Sequence, residues 1–121
     1  MSKKSWYRFT LAGLLLASAA TAVWAADPPK PPTGQELAFD SRRGNCLACH
    51  SMPGEPRAVT STNIAPPLIA MKDRFPDRKK LFDKIWDATL SSPNTAMPPF
   101  GKHGALKSEE INLIIDYIYG L

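Results

Sequence analysis

The chain has 121 residues, 44% of them hydrophobic, and a formal net charge of +4. Its first 25 residues hold three basic side chains and no acidic one, so the remaining 96 residues carry a net charge of only +1. This balance argues against a nucleic-acid-binding protein, because that function requires a concentrated basic face.

The beginning of the chain has the pattern of an export signal. Basic residues precede an apolar, Ala-rich run over residues 11–23, and Val23 and Ala25 suit cleavage before Ala26. The run is shorter than the roughly 20 residues that a membrane span needs. No cysteine lies near the cleavage point to accept a lipid. We therefore expect a cleaved signal peptide at residues 1–25, a periplasmic protein, and no membrane anchor after cleavage.

The next segment, "ADPPKPPTG", predicts an extended leader followed by a helix. Its four prolines lack amide donors and favour an extended strand, so residues 26–33 form a leader and residues 34–121 the folded domain. Thr33 and Glu36 have the spacing of a capping box. The sequence therefore predicts a first helix that starts at Thr33 and ends near Gly44.

The two cysteines of the chain and a histidine fall within "NCLACH". Residues three apart project from the same side of a helical turn, so Cys46 and Cys49 can each bond one vinyl group of a single haem, with His50 facing the iron. This CxxCH pattern is the attachment signature of c-type haem. A zinc site would need a fourth ligand that the chain does not obviously offer. A thioredoxin-like pair would need alternating strands and helices, and a disulfide here would close too small a loop to stabilise a fold much.

Residues 51–71 are rich in Pro, Gly, Ser and Thr and predict an ordered loop. A loop this long usually wraps something functional. A ligating histidine usually donates its second ring N–H to a fixed acceptor, and a carbonyl near Pro66 and Pro67 could accept it from His50, with Leu68 and Ile69 facing the ring. The alternative is that these prolines only punctuate the loop.

Two further helices are predicted towards the end of the chain. The first starts around Pro76 and places Phe82, Ile85, Trp86 and Thr89 on one face. The second is capped by Ser108 and repeats isoleucine at the helical spacing, at positions 111, 114, 115 and 118. Residues 72–80 are locally basic, which is typical of a solvated helix entry but could also steer an acidic redox partner.

The second axial ligand decides whether the iron relays electrons or binds small molecules. Met97 is favoured, because it lies in a loop stiffened by two prolines and His–Met is a recognised c-type pairing. Met52 is too close to His50 in sequence to reach the other side of the ring. Met71 is predicted to pack as an apolar side chain, and His103 is the competing ligand.

These features resemble class I cytochromes c over nearly the whole mature chain. The segments "GNCLACH", "NIAPPL", "RFPDR", "IWDAT", "PNTAMPPFGKHG" and "EEINLIIDYIYGL", in this order, more narrowly resemble the SoxX family, the small monohaem subunits of SoxXA complexes. The resemblance implies an all-α, class I cytochrome c-like fold with three to four helices around one covalent haem c. A departure is Ala65, where class I cytochromes commonly have glycine, so different backbone angles are expected there.

The resemblance also implies a role for each site residue. Cys46 and Cys49 carry the thioethers, and His50 is the proximal iron ligand. Met97 is the distal ligand, and Pro66 offers its carbonyl to the His50 ring.

The partners implied by the resemblance belong to bacterial sulfur oxidation. A SoxA-like subunit with one or two haems joins thiosulfate oxidatively to a cysteine of the carrier SoxYZ, as an L-cysteine S-thiosulfotransferase, and releases two electrons. This chain would accept them one at a time and pass them to a small cytochrome c, with no substrate chemistry of its own. A free-standing periplasmic electron carrier is the alternative, and a haem enzyme such as a peroxidase is a third possibility.

Overall fold

The computed structural model describes residues 27–59 and 62–121, and the predicted signal peptide lies outside them. This part of the chain contains two 3₁₀ turns, Cys46–Ala48 and Ala88–Leu90, and no strand. The α-helices are α1 (Gly34–Phe39), α2 (Met71–Arg74), α3 (Arg78–Trp86) and α4 (Ser108–Ile118). The predicted all-α class is confirmed. None of the helices in these two ranges has the length and apolar character that a membrane crossing requires.

Helix α1 begins with the predicted capping box and crosses α4 at very short range. The Thr33 side chain accepts from the Glu36 amide, and the Glu36 carboxylate accepts from the Thr33 amide at 2.7 Å. A Cβ on Gly34 would lie 1.9 Å from the carbonyl oxygen of Leu113. Only glycine therefore allows the two backbones to approach this closely.

The first helix is shorter than predicted, because it ends at Phe39 and not near Gly44. Asp40 is extended, and its backbone and side-chain oxygens accept from the amides of Arg43, Asn45 and Arg42. The chain therefore turns back towards α1, and the Gly44 amide donates to the Leu37 carbonyl at 3.1 Å.

Helix α4 contributes more buried side chains to the core than any other helix, as its isoleucine spacing predicts. Ile111, Ile114, Ile115 and Ile118 are all buried. The predicted cap at Ser108 is wrong by one residue, since Lys107 is the N-cap and Ser108 the first helical residue. The Glu110 carboxylate accepts from the Lys107 amide at 2.8 Å and pairs with Arg43, so Glu110 supplies the half of a capping box that binds the N-cap amide.

Helix α3 begins at Arg78 with Asp77 as its cap, so Pro76 precedes the cap and does not lie in the first turn as predicted. The Arg78 guanidinium donates to the Asn112 carbonyl at 2.9 Å and to Asp116 at 2.6 Å, which joins α3 to α4. Phe82 and Trp86 stack on each other with ring centroids 5.8 Å apart.

The basic stretch 72–80 is partly used within the fold. Arg78 is paired with Asp116, and Lys79 with Asp83. Lys72 and Lys80 are exposed. A role for this stretch in docking a partner stays a prediction.

The close crossing of α1 and α4 makes Gly34 sensitive to substitution. We expect Gly34→Ala to lower the free energy of unfolding by about 3 kcal/mol, because a rigid carbonyl blocks the added methyl group and the helices must separate. The measurement is guanidinium unfolding of the haem-loaded protein. Gly104→Ala is the control: its φ is +71° but a Cβ there meets nothing within 4 Å, so it should cost only about 1 kcal/mol. Equal losses for the two variants would contradict the close crossing.

Candidate functional site

The cysteines and the histidine of the motif are gathered by one tight turn. Asn45 precedes it with a φ of 46°, a left-handed conformation that asparagine tolerates better than most residues. The amides of Cys49 and His50 both donate to the Cys46 carbonyl, at 3.2 and 2.9 Å. This backbone arrangement brings the two thiols and the imidazole to the wall of one cavity.

That cavity has a volume of about 720 Å³ and a mostly apolar wall. The wall includes Cys46, Cys49, His50, Pro66, Leu68 and Met97, as the sequence predicts, but not Ile69, which is 43% exposed. Apolar side chains from α3, α4 and the Met97 loop complete it, among them Leu81, Ile85, Phe100, Leu106, Ile114 and Ile118. Phe100 and Leu106 were not predicted, because their loop has no periodicity that would single them out.

The His50 ring is fixed by a backbone carbonyl. Its Nδ1 lies 2.7 Å from the carbonyl oxygen of Pro66. A carbonyl can only accept, so Nδ1 carries the proton and Nε2 keeps the free lone pair that a metal ligand needs. Ala65 is not one of the described residues that have a positive φ. Alanine can therefore adopt the backbone conformation that this contact needs, and the glycine common in class I cytochromes is not required here.

Two backbone hydrogen bonds hold the Pro66 loop against the motif. The Ala65 amide donates to the Cys49 carbonyl and the Leu68 amide to the Ser51 carbonyl, both at 2.8 Å. His50 and Ala65 form an isolated parallel bridge. The loop therefore presents its carbonyl to His50 through an extended pairing that the sequence pattern did not reveal.

Arg74 on α2 holds the same loop from the other end. Its guanidinium donates to the Pro67 carbonyl at 2.7 Å and lies 3.5 Å from the Met71 sulfur. Neither α2, which has only four residues, nor this contact is predicted from the sequence. An arginine near two prolines gives no recognisable motif.

The structure separates the four candidates for the second iron ligand. Met97 and Met71 line the cavity, and the Met71 sulfur is close to Arg74. Met52 is buried outside the cavity wall, and His103 is exposed and also outside it. Met97 as ligand stays a prediction, with Met71 as the thioether that shares its cavity.

Met52 belongs to a separate cluster on α4. Its sulfur lies 3.8 Å from the Tyr117 hydroxyl, which donates to Glu55 at 3.0 Å. Burial, reinforced by the bond to the Glu55 carboxylate, raises the pKa of Tyr117 to about 12. This cluster fastens the chain after the motif to α4 and keeps Met52 away from the site.

The environment of Cys46 argues against a thiol-redox site. Both cysteines are free, and apolar surroundings raise the pKa of the Cys46 thiol to about 11. Reactive cysteines have the opposite shift. No group of three or more His, Cys, Asp or Glu residues that could hold a metal occurs within ranges 27–59 and 62–121.

The Met97 loop is tied to the end of α3 by a buried carboxylate. Asp87 is 3% exposed, and its Oδ2 lies 2.8 Å from the Lys102 ammonium. Its Oδ1 accepts from the Thr89 amide at 3.1 Å. The hydrogen bond from Lys102, followed by those from Thr89, lowers the pKa of Asp87, so this carboxylate is ionised at neutral pH.

The residues of the cavity fit a covalent haem c. The wall offers two thiols, an imidazole with a free nitrogen, a thioether and a broad apolar surface. A haem also carries carboxylate groups, and the charged side chains that line the described cavity are all cationic, namely Arg42, Arg43, Arg74 and Lys84. The donor set, the apolarity and the sign of the charge agree with the same group.

The contact of Arg74 with the loop can be tested by amide exchange. We expect Arg74→Met to speed hydrogen exchange of the Leu68 amide about fivefold in the haem-loaded protein, since a hydrogen bond of this kind contributes about 1 kcal/mol. Lys72→Met removes an exposed charge from the same helix and should leave the rate unchanged. An unchanged rate in Arg74→Met would mean that the loop does not depend on Arg74.

Comparison with known proteins agrees with this site. A family model described as "Cytochrome C oxidase, cbb3-type, subunit III" matches residues 30–118. A protein of Aquifex aeolicus (strain VF5) named "Uncharacterized lipoprotein" is 37% identical over 79 residues, which are 65% of this chain and 37% of that protein. The chain thus matches well under half of this relative's length. It belongs to the cytochrome c family described as subunit III of cbb3-type cytochrome c oxidase, a class I, all-α fold that carries covalently bound haem c.

Proposed function

We propose that the protein is an exported one-electron carrier whose haem iron has His50 and Met97 as its two protein ligands. The observation that carries the proposal is the convergence of the thiols, the imidazole and the Met97 thioether on one apolar cavity. When bound, the haem supplies an iron that exchanges one electron between its ferric and ferrous states. The chain holds it covalently through Cys46 and Cys49.

The role of His50 follows from its hydrogen bond. The Pro66 carbonyl at 2.7 Å keeps the proton on Nδ1 and limits rotation of the ring. An oriented, electron-rich imidazole is a stronger ligand than one that is free to turn. His50 therefore needs no movement of its own when an electron arrives or leaves.

The wall of the cavity favours electron transfer over haem-enzyme chemistry. A peroxidase-type reaction needs a general acid or base near the reacting group. Among the described residues that line the cavity there is no Asp, Glu or Tyr, and the histidine is His50 itself. The side chains present can hold and shield a redox group, and Lys84, the other side chain of the wall that could move a proton, donates to the hydroxyls of Ser91 and Ser92.

Two biological settings are compatible with membership of the family. In the first, the chain is the electron-accepting subunit of a SoxXA-type complex and receives the electrons released when thiosulfate is coupled to a cysteine of SoxYZ. In the second, it is a free-standing carrier. We favour the first, because the segments "NIAPPL" and "PNTAMPPFGKHG" resemble SoxX proteins in order and spacing.

A periplasmic location is part of this proposal. The basic and apolar pattern of residues 1–25 supports export. The Aquifex relative is named a lipoprotein, which is compatible with an exported family. Haem attachment to a CxxCH motif and delivery of electrons to a small cytochrome c would then occur in one compartment.

The ligand set predicts a spectroscopic change on removal of Met97. Oxidised protein should show the weak near-infrared band of methionine sulfur on ferric haem, and Met97→Ala should abolish it and let the ferrous form bind carbon monoxide. Met71→Leu is the matched control, because it removes the other cavity thioether and keeps an apolar side chain of similar size. A band that survives in Met97→Ala and is lost in Met71→Leu would transfer the ligand role to Met71.

The SoxXA setting can be tested with the partner proteins that it requires. We expect the tagged, haem-loaded protein to co-purify with a SoxA-like cytochrome expressed beside it, and to be reduced when thiosulfate and SoxYZ are added. The control omits SoxYZ, which should prevent reduction. A monomer that is not reduced with every component present would exclude the SoxXA setting and leave the free-standing carrier.

A further inference from the structure

We propose that Asp87 is a positioning residue for the haem: its ion pair with Lys102 holds the Met97 loop onto the end of α3 and thereby sets how firmly Met97 stays on the iron. This inference rests on the proposed ligand role of Met97. Asp87 and Lys102 lie in the segments "IWDAT" and "FGKHG", and neither is one of the proposed haem-binding residues.

The first reason is the burial of Asp87. It is the buried charged residue within the described ranges, at 3% exposure, although it lies at the end of a surface helix. A buried carboxylate is costly unless a charge or hydrogen bonds compensate it. Lys102, in a loop 15 residues further along the chain, provides that charge. Its ammonium lies 2.8 Å from the Asp87 carboxylate.

The second reason is that backbone hydrogen bonds join the same two parts of the chain as the ion pair does. The Trp86 carbonyl accepts from the amides of Gly101 and Lys102, at 3.1 and 3.2 Å. A Cβ on Gly101 would lie 2.1 Å from Cε3 of the Trp86 ring, so the ring packs directly on the glycine backbone. Three kinds of contact therefore join residues 86–87 to residues 101–102.

The third reason is the stiffness of the chain between this attachment and Met97. Pro98 and Pro99 restrict φ immediately after Met97. The amides of Phe100 and His103 donate to the Pro98 and Pro99 carbonyls, both at 3.0 Å. A displacement of Lys102 is therefore transmitted to Met97 and not absorbed by a flexible linker.

A purely local role for Asp87 is the competing explanation. Asp87 also caps the 3₁₀ turn Ala88–Leu90 through the Thr89 amide. If that were its whole purpose, loss of Asp87 would destabilise the end of α3 but would leave the iron ligation unchanged. The two explanations predict different ligand-binding results.

The test measures how easily imidazole displaces methionine from the iron. A looser Met97 loop spends more time off the metal, so the apparent affinity for an external ligand rises. We expect Asp87→Asn and Lys102→Gln each to raise the imidazole affinity of the ferric, haem-loaded protein about tenfold, and the double variant to raise it no further. Lys102→Arg keeps the charge and should restore an affinity near that of the wild type.

Two control variants separate the local role from the positioning role. Asp83→Asn breaks an exposed ion pair with Lys79 on the same helix and should leave imidazole affinity unchanged. Thr89→Val removes the hydroxyl that donates to Asp87 but keeps the ion pair with Lys102. This variant should also leave the imidazole affinity unchanged.

The failure of this inference is distinct from the failure of the proposed function. Lower melting temperatures of Asp87→Asn and Lys102→Gln with wild-type imidazole affinity would overturn the positioning role. Absence of the near-infrared methionine band from the wild-type protein would instead overturn the ligand role of Met97, whatever the variants do. Lys102 is more than half exposed, so Lys102→Gln gives a folded variant for the test even if Asp87→Asn folds poorly.

Discussion

The cavity beside the CxxCH turn is the constraint on which the rest of the structure depends. The cavity, of about 720 Å³, is partly open to solvent, so without a group in it the apolar wall would be in contact with water. Exposed apolar surface costs roughly 25 cal/mol per Å². The haem c that the family carries is thus part of the hydrophobic core, and the helices are arranged around it.

What could be predicted from the sequence depended on how far apart the interacting residues are. CxxCH, the Thr33 capping box and the isoleucine spacing of α4 are local patterns, and each indicates its structure directly. A carbonyl near Pro66 and Pro67 could be predicted because a ligating histidine needs an acceptor, but only the family resemblance indicated Pro66. The crossing at Gly34 could not be predicted, since it depends on the carbonyl of Leu113, 79 positions away. The pairs of Arg74 with Pro67 and of Asp87 with Lys102 have no spacing that marks them.

The composition of the cavity wall explains why electron relay is the better reading of the site. Catalysis on haem requires an open coordination position and groups that move protons. Here the side chains of the wall that can exchange protons are the attachment thiols, His50 and Lys84, and the arginines suit the haem carboxylates. The His50 Nδ1 already donates to the Pro66 carbonyl, and Lys84 donates to the hydroxyls of Ser91 and Ser92. The wall is therefore suited to holding a redox group, which is what an electron-transfer domain requires.

The segment 71–87 contacts both of the loops that lie beside His50 and Met97. Arg74, at its beginning, holds the loop that fixes the His50 ring, and Asp87, at its end, holds the loop that carries Met97. Between them, Arg78 anchors the segment to α4 through Asn112 and Asp116. The His50 and Met97 loops are thus each held by one residue of this segment, Arg74 on α2 and Asp87 at the end of α3, and α3 is fixed to α4 through Arg78. On the proposed ligation by Met97, a disturbance of either loop would be resisted by these contacts.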